Sequence, residues 1–164
     1  MIVSISGIKR SGSTAQFNMV RLILEKKFDE VHVTGRPRDI KQPCTIVKIH
    51  TFDQTLYRQA SYIFTTDRDR KEVRASLQRF KRGEVKSMKK MNEHLRKWKT
   101  RSTHMSFTNI ANNPKLCIEI ILRKFGYTDI DPDEILQEFL AIKPPQEGEY
   151  DPKTMLFDNH ITSK

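Results

Sequence analysis

Ile2-Val3-Ser4-Ile5-Ser6-Gly7-Ile8-Lys9-Arg10-Ser11-Gly12-Ser13-Thr14 is the stretch whose reading decides the fold. Ile2 to Ser6 reads as a buried strand, Gly7 to Thr14 as a glycine-punctuated loop, and from Ala15 the pattern turns helical. A strand that passes through small residues straight into a helix leaves several backbone N–H groups aimed at one spot, with the positive end of the helix dipole behind them. Such a spot favours an anion, and phosphate is the usual one. A plainer reading stays open here: Gly7 and Gly12 only permit a tight strand-to-helix turn.

The spacing Gly7-x4-Gly12-Ser13-Thr14 follows the P-loop pattern G-x4-G-K-[ST], except that Ser13 stands where the phosphate-gripping lysine belongs. Lys9 and Arg10, inside the loop, bring positive charge from another direction. ATP or GTP hydrolysis is disfavoured by that exchange.

Working outward, 164 residues make one domain by the usual size prior, long enough to bury about two thirds of the unfolded surface. Cys44 and Cys117 are too few for a zinc site or a disulfide framework, which points to a reducing compartment. No apolar run reaches the roughly 18 residues of a membrane span, and the first residues lack a signal-peptide layout. The expectation is a soluble, cytoplasmic protein. Between Arg68 and Arg101 there are 14 Lys and Arg against 4 acids, which accounts for the whole net charge of +10. A field concentrated in this way attracts a polyanion, though a solvated helical face explains it equally well.

Phe17, Val20, Leu22, Ile23, Leu24 and Phe28 give Ala15 to Phe28 an amphipathic period suited to a crossover helix. Glu30 to Thr34 reads as a short strand ended by Gly35, and Pro37 and Pro43 bracket a basic loop with Arg36, Arg38 and Lys41. Cys44 to His50 is a β-branched strand whose end turns polar. Asp53 to Ala60 is read as a short helix, and Tyr62 to Thr66 as the next strand, ending in Asp67-Arg68-Asp69-Arg70. Helical spacing resumes through Val73, Leu77 and Phe80. Gly83 separates this from a second basic helix, Glu84 to Lys99, whose Val85, Met88, Met91, Leu95 and Trp98 are expected to be core contacts in preference to a base-stacking platform.

Ser102 to Asn113 reads as a polar loop, Pro114 as the first position of a helix that Gly126 stops, and Asp131-Pro132-Asp133-Glu134 as the start of a last helix to about Ile142. The expected organisation is a single α/β domain over 1–143 and a C-terminal tail or closing loop over 144–164. Strands alternate with helices, so the fold class is α/β: a small parallel sheet flanked by helices, P-loop-like, with a helical C-terminal half. Its loops gather at the carboxyl ends of the strands, where Arg10, Lys48, His50 and Arg68 all fall.

Together these residues resemble the 3′-phosphoadenosine-5′-phosphosulfate (PAPS)-dependent sulfotransferases. Arg10-Ser11-Gly12-Ser13-Thr14 resembles the family's 5′-phosphosulfate loop, in which a basic residue precedes Ser-Gly-[ST]-Thr. Lys48-Ile49-His50 resembles the Lys-Thr-His strand end in which the histidine is the catalytic base. Arg68 and Ser76, across a strand-to-helix junction, resemble the pair that holds the 3′-phosphate. The resemblance covers about residues 1 to 80. Two departures are plain: no proline follows the Arg68-Asp69 pair, and the family's C-terminal Arg-Lys-Gly segment is not recognisable. Tyr150-Asp151-Pro152-Lys153-Thr154 with Asn159-His160-Ile161 is faintly similar to acceptor-side segments of bacterial relatives.

What the resemblance implies is a transferase that moves a sulfuryl group from PAPS to a hydroxyl or amine, leaving adenosine 3′,5′-bisphosphate and needing no metal. Lys9, Arg10, Ser11, Gly12, Ser13 and Thr14 would hold the 5′-phosphosulfate, Arg68 and Ser76 the 3′-phosphate, His50 would act as base and Lys48 on the bridging oxygen. The partner expected is a small-molecule or glycan acceptor, with an anionic one suiting the charge. Two other functions compete: a P-loop-type nucleotide or small-molecule kinase, which needs magnesium and a lysine after Gly12, and a non-catalytic nucleic-acid-binding protein using Arg68 to Arg101. His32, His94, His104 and His160 have no pairing in the sequence that singles them out, and their spacing builds no metal site.

Overall fold

In a computed structural model, which describes residues 1–41, 43–79, 88–146 and 149–157, the apolar run at the amino end becomes the middle strand of a sheet. β1 (Ile2–Gly7) lies between β3 (Cys44–Ile49) and β4 (Tyr62–Asp67); β2 (Val31–Thr34) and β5 (Thr103–Ser106) form the edges, and every pairing is parallel. The register sets Ser6 beside Ile49 on one side and Thr65 on the other. The strand ends that carry Gly7, His50 and Arg68 therefore share one rim. This is the α/β class expected from the alternation of elements.

Side-chain alternation along the strands separates two cores. Val3, Ile5, Ile46 and Phe64 pack with Phe17, Val20 and Leu24 of α1 (Ser13–Glu25) and with Ile118, Ile121 and Phe125 of α6 (Pro114–Phe125). On the opposite face Val47 and Ile63 meet Leu56 of α2 (Gln54–Gln59) and Trp98 of α4 (Met88–Lys99). Ile8, Val73 of α3 (Arg70–Arg79) and Leu95 of α4 form a smaller cluster beside the first loop. Leu95 and Trp98 are thus core contacts, whereas Phe80, Gly83, Glu84 and Val85 lie outside the described residues.

Helix ends follow their sequence signals. Pro114 opens α6, Gly126 closes it with a left-handed φ of 76°, and Asp131 caps α7 (Pro132–Ala141) by accepting from the Asp133 N–H.

Two regions depart from the expectation. Ser102 to Asn113, read as a polar loop, contains β5 and a short helix, α5 (Phe107–Asn112), capped by Ser106. An edge strand pairs on one side only, and in β5 the single fully apolar side chain, Met105, meets the core, so no alternation marks it. Nor does a periodic pattern mark β6 (Tyr150–Asp151) and β7 (Leu156–Phe157), a small antiparallel hairpin laid on α1, where Asn18 Nδ2 donates to the Thr154 carbonyl at 2.9 Å.

Gly7 is where the packing is tightest. A Cβ there would sit 2.2 Å from Thr66 Oγ1 and 2.9 Å from the Thr66 carbonyl oxygen. Gly7→Ala is therefore expected to cost about 1–3 kcal/mol in denaturant unfolding, the overpacking range. A loss too small to measure would mean that the loop and β4 are not locked together as described.

Candidate active site

The loop after β1 turns on two left-handed residues, Arg10 at φ 68° and Gly12 at φ 85°. Gly12 is the N-cap of α1 and supplies no side-chain cap, so the first N–H groups of that helix keep their donors for another partner. Phe107 of α5 would lie 3.0 Å from a Cβ on Gly12, a second reason for glycine there. Ser11 faces inward: its hydroxyl is fully buried, 2.7 Å from Thr66 Oγ1 and 3.3 Å from the Thr66 carbonyl. Ser13 is also buried, and Lys9 is exposed at the rim.

Lys48 enters from β3. Its Nζ donates to Thr14 Oγ1 at 2.7 Å, placing an ammonium against the first turn of α1. This is the cation missing from Ser13's position, delivered by a different strand. Burial and the neighbouring Arg10 guanidinium lower the Lys48 pKa from 10.5 to about 8. Among the described residues no carboxylate lies within ion-pair distance of it, so the part-buried charge has the Thr14 hydroxyl but no opposite charge to offset its desolvation.

His50 follows two residues later. Its Nδ1 lies 2.7 Å from the Gly7 carbonyl oxygen, which can only accept, so Nδ1 carries the hydrogen and Nε2 carries the lone pair. Burial, Lys48 and Lys9 hold the ring pKa down to about 4, against an upward pull from the Gly7 bond, so the imidazole is neutral at pH 7.

The third element is β4 with α3. Arg68 spreads over the Phe107 ring, its Cζ 3.7 Å from the centroid, pairs through Nε with Glu72 at 2.7 Å, and donates from Nη1 to the Arg10 carbonyl at 3.5 Å. Arg10 in turn donates from Nε to Ser76 Oγ at 3.0 Å. The two regions that the sequence separates by 66 positions are therefore in direct contact. A cleft of about 610 Å³ opens beside them between the β4–α3 junction and α4, where Arg68, Arg70, Lys71 and Arg96 are among the lining residues.

No protein-family pattern and no curated protein matches the chain in sequence. In three dimensions it is similar to retinol dehydratase solved with androsterone and the inactive cofactor PAP, at 12% identity and a TM-score of 0.63, and to the same enzyme solved with retinol and PAP, at 12% and 0.62. The chain has the retinol dehydratase fold. The match covers 87% of this chain and 64% of retinol dehydratase, so the chain spans less than two thirds of the structures it matches. Among the described residues no helix is long and apolar enough to cross a membrane, and no group of His, Cys, Asp and Glu is arranged to hold a metal ion.

Of the predicted residues, Arg10, Gly12, Thr14, Lys48, His50, Arg68 and Ser76 come together on this rim, while the Ser11 hydroxyl serves the loop's own structure. Phe107 and Thr66 were not singled out by sequence. Phe107 lies in the stretch read as a loop, and Thr66 is one more buried residue at the end of a strand, so neither carried a signal.

Lys48→Met should raise the melting temperature at pH 7, by the equivalent of about 1–2 kcal/mol, because the buried ammonium is replaced by a side chain of similar volume. The sign follows from linkage: with the folded pKa near 8 and the unfolded one near 10.5, the penalty is complete below pH 8 and is relieved as pH rises toward 10.5. The variant should lose that alkaline gain in thermal melts. A destabilised variant with the gain intact would contradict the described environment.

Proposed function

We propose that the chain is a PAPS-dependent sulfotransferase: it transfers the sulfuryl group of PAPS to a hydroxyl or amine and releases adenosine 3′,5′-bisphosphate. The observation that carries this reading is the contact between the two candidate anion sites, Arg10 with Ser76 and Arg68 with the Arg10 carbonyl. An adenosine carrying phosphates on both its 3′ and 5′ positions needs two such sites within one nucleotide's reach; a nucleoside di- or triphosphate needs one. Likeness in fold to an enzyme solved with PAP supports the same ligand class.

The residues present fit the donor. The first turn of α1, without a side-chain cap, and the Lys48 ammonium, bonded to Thr14 Oγ1 and without a carboxylate partner among the described residues, supply donors and positive charge for the 5′ end, with Lys9 and Arg10 beside them. Arg68 and Ser76 serve the 3′-phosphate. When bound, PAPS provides an already activated sulfuryl group, which leaves alignment, deprotonation of the acceptor and stabilisation of the leaving oxygen to the protein.

His50 supplies the base. Its Nε2 lone pair is free to take the acceptor's proton while the Gly7 carbonyl holds the tautomer. A pKa of about 4 makes it a weak base in the unliganded chain, and two of the causes are the Lys48 and Lys9 charges. Burial is the largest cause; an anion seated beside those lysines offsets their smaller contributions and raises the imidazole pKa from that side. Lys48 is placed to neutralise the departing phosphate oxygen. The cations along the neighbouring cleft favour an acceptor with negative charge of its own.

Thermal-shift measurements should show selective stabilisation by adenosine 3′,5′-bisphosphate over ADP and ATP. Magnesium-dependent ATP turnover would instead restore the kinase reading, and steep salt-dependent binding of oligonucleotides with indifference to the bisphosphate would restore the nucleic-acid one. His50→Ala should lower turnover about 10²-fold while bisphosphate binding persists. Arg68→Ala should weaken the bisphosphate far more than adenosine 5′-phosphate; equal losses would remove Arg68 from the 3′ site.

A further inference from the structure

The loop that carries His50 runs only from Ile49, the end of β3, to Gln54, the start of α2, and each of its residues has its own anchor. His50 is bonded to Gly7, and Asp53 caps α2 by accepting from the Leu56 N–H at 2.7 Å. The two residues between them are held by α4, a helix that joins the chain about forty positions later. Trp98 Nε1–H donates to the Thr51 carbonyl at 3.2 Å, and the Phe52 N–H donates to His94 Nδ1 at 3.0 Å. His94 and Trp98 are four residues apart, so they lie on one face of α4 and grip the two ends of a single peptide group of the loop, the Thr51 carbonyl and the Phe52 N–H.

We infer that α4 positions the catalytic base, with His94 and Trp98 fixing the two residues that directly follow His50. This rests on the proposal that His50 is the base. Their bonds to the loop are the route by which they act on the reaction. The acceptor role at Phe52 requires the Nδ1 lone pair of His94, so its ring hydrogen sits on Nε2, the tautomer opposite to that of His50. Trp98 is fully buried, with the Phe52 ring 5.1 Å away edge-on and the Tyr57 ring at 5.8 Å, which sets the height of the loop over the helix.

The same helix reaches the other strand end. Lys99 Nζ contacts Asp67 Oδ2 at 2.6 Å, next to Arg68. Because α4 touches both the base loop and the strand end carrying Arg68, it sets the distance between the general base and the proposed 3′-phosphate site. A hold on both the carbonyl and the N–H of one peptide group is well suited to this: a displacement on the order of 1 Å at a reacting group costs up to about 10²-fold in rate.

The test uses the full chain and three variants: His94→Ala, His94→Asn, whose amide oxygen can take the place of Nδ1, and Trp98→Phe, which keeps an aromatic ring in the cluster but removes the N–H together with part of the buried ring volume. Imidazole ¹⁵N NMR reports the His50 tautomer, and PAPS-dependent sulfation of 4-nitrophenol reports turnover. His94→Ala and Trp98→Phe are expected to turn the single Nδ1–H form of His50 into a mixture and to lower kcat about 10-fold or more with KM for PAPS unchanged. His94→Asn should restore both. Adding His94→Ala to His50→Ala should bring no further loss. An unchanged His50 tautomer in both disrupting variants, or a fully additive loss in the double variant, overturns the inference. If the wild-type chain turns over no PAPS, the sulfotransferase reading fails, and the NMR comparison alone decides whether α4 positions the ring.

Discussion

The close approach of Thr66 to Gly7 is the constraint from which the site is built. Only a residue without a Cβ lets the β4 hydroxyl and carbonyl come so near β1, and the Ser11 hydroxyl then closes onto the same threonine. With Ser11 drawn inward, the loop takes left-handed turns at Arg10 and Gly12 and presents its donors at the rim. The Gly7 carbonyl, fixed by the same packing, holds the His50 ring. One glycine thus links the loop geometry and the histidine tautomer.

Charge is then arranged against the interest of the unliganded fold. Lys48 is drawn partly out of water beside Arg10, with the Thr14 hydroxyl as its partner and no carboxylate among the described residues, and His50 is held neutral next to it. A protein selected for stability alone would pair or replace that lysine. On the proposed function, a bound anion would supply that counter-charge, and the penalty carried by Lys48 would be returned as binding energy. Arg68 differs: Glu72 pairs with it and Phe107 lies under it, so it is held in place before any ligand arrives.

Much of this was legible in the chain. The apolar β-branched runs of β1, β3 and β4 announce buried parallel strands, and the glycines announce the loop between β1 and α1. That Lys48 and His50 share a side follows from their spacing of two. Less legible were contacts made by tertiary placement. Thr103–Ser106 pairs at an edge and buries Met105, the hairpin over 150–157 is too short for a period, and Asn159-His160-Ile161 lies outside the described residues. Ser11 shows how a motif position can also carry structure. Its place in the motif points to ligand binding, whereas its hydroxyl is spent on Thr66. His94 looked like any histidine on a basic helix because its partner, the Phe52 N–H, is 42 positions away.

The central claim is that Arg10, Lys48 and the α1 terminus on one side, and Arg68 with Ser76 on the other, form two halves of one nucleotide site. Calorimetric titration of adenosine 3′,5′-bisphosphate against adenosine 5′-phosphate and adenosine 3′-phosphate tests it most directly. The account predicts that the bisphosphate binds at least about 100-fold more tightly than either monophosphate, since two charge-assisted anion contacts are then made at once. Affinities within a few-fold of one another for all three would mean that the two halves never grip the same molecule.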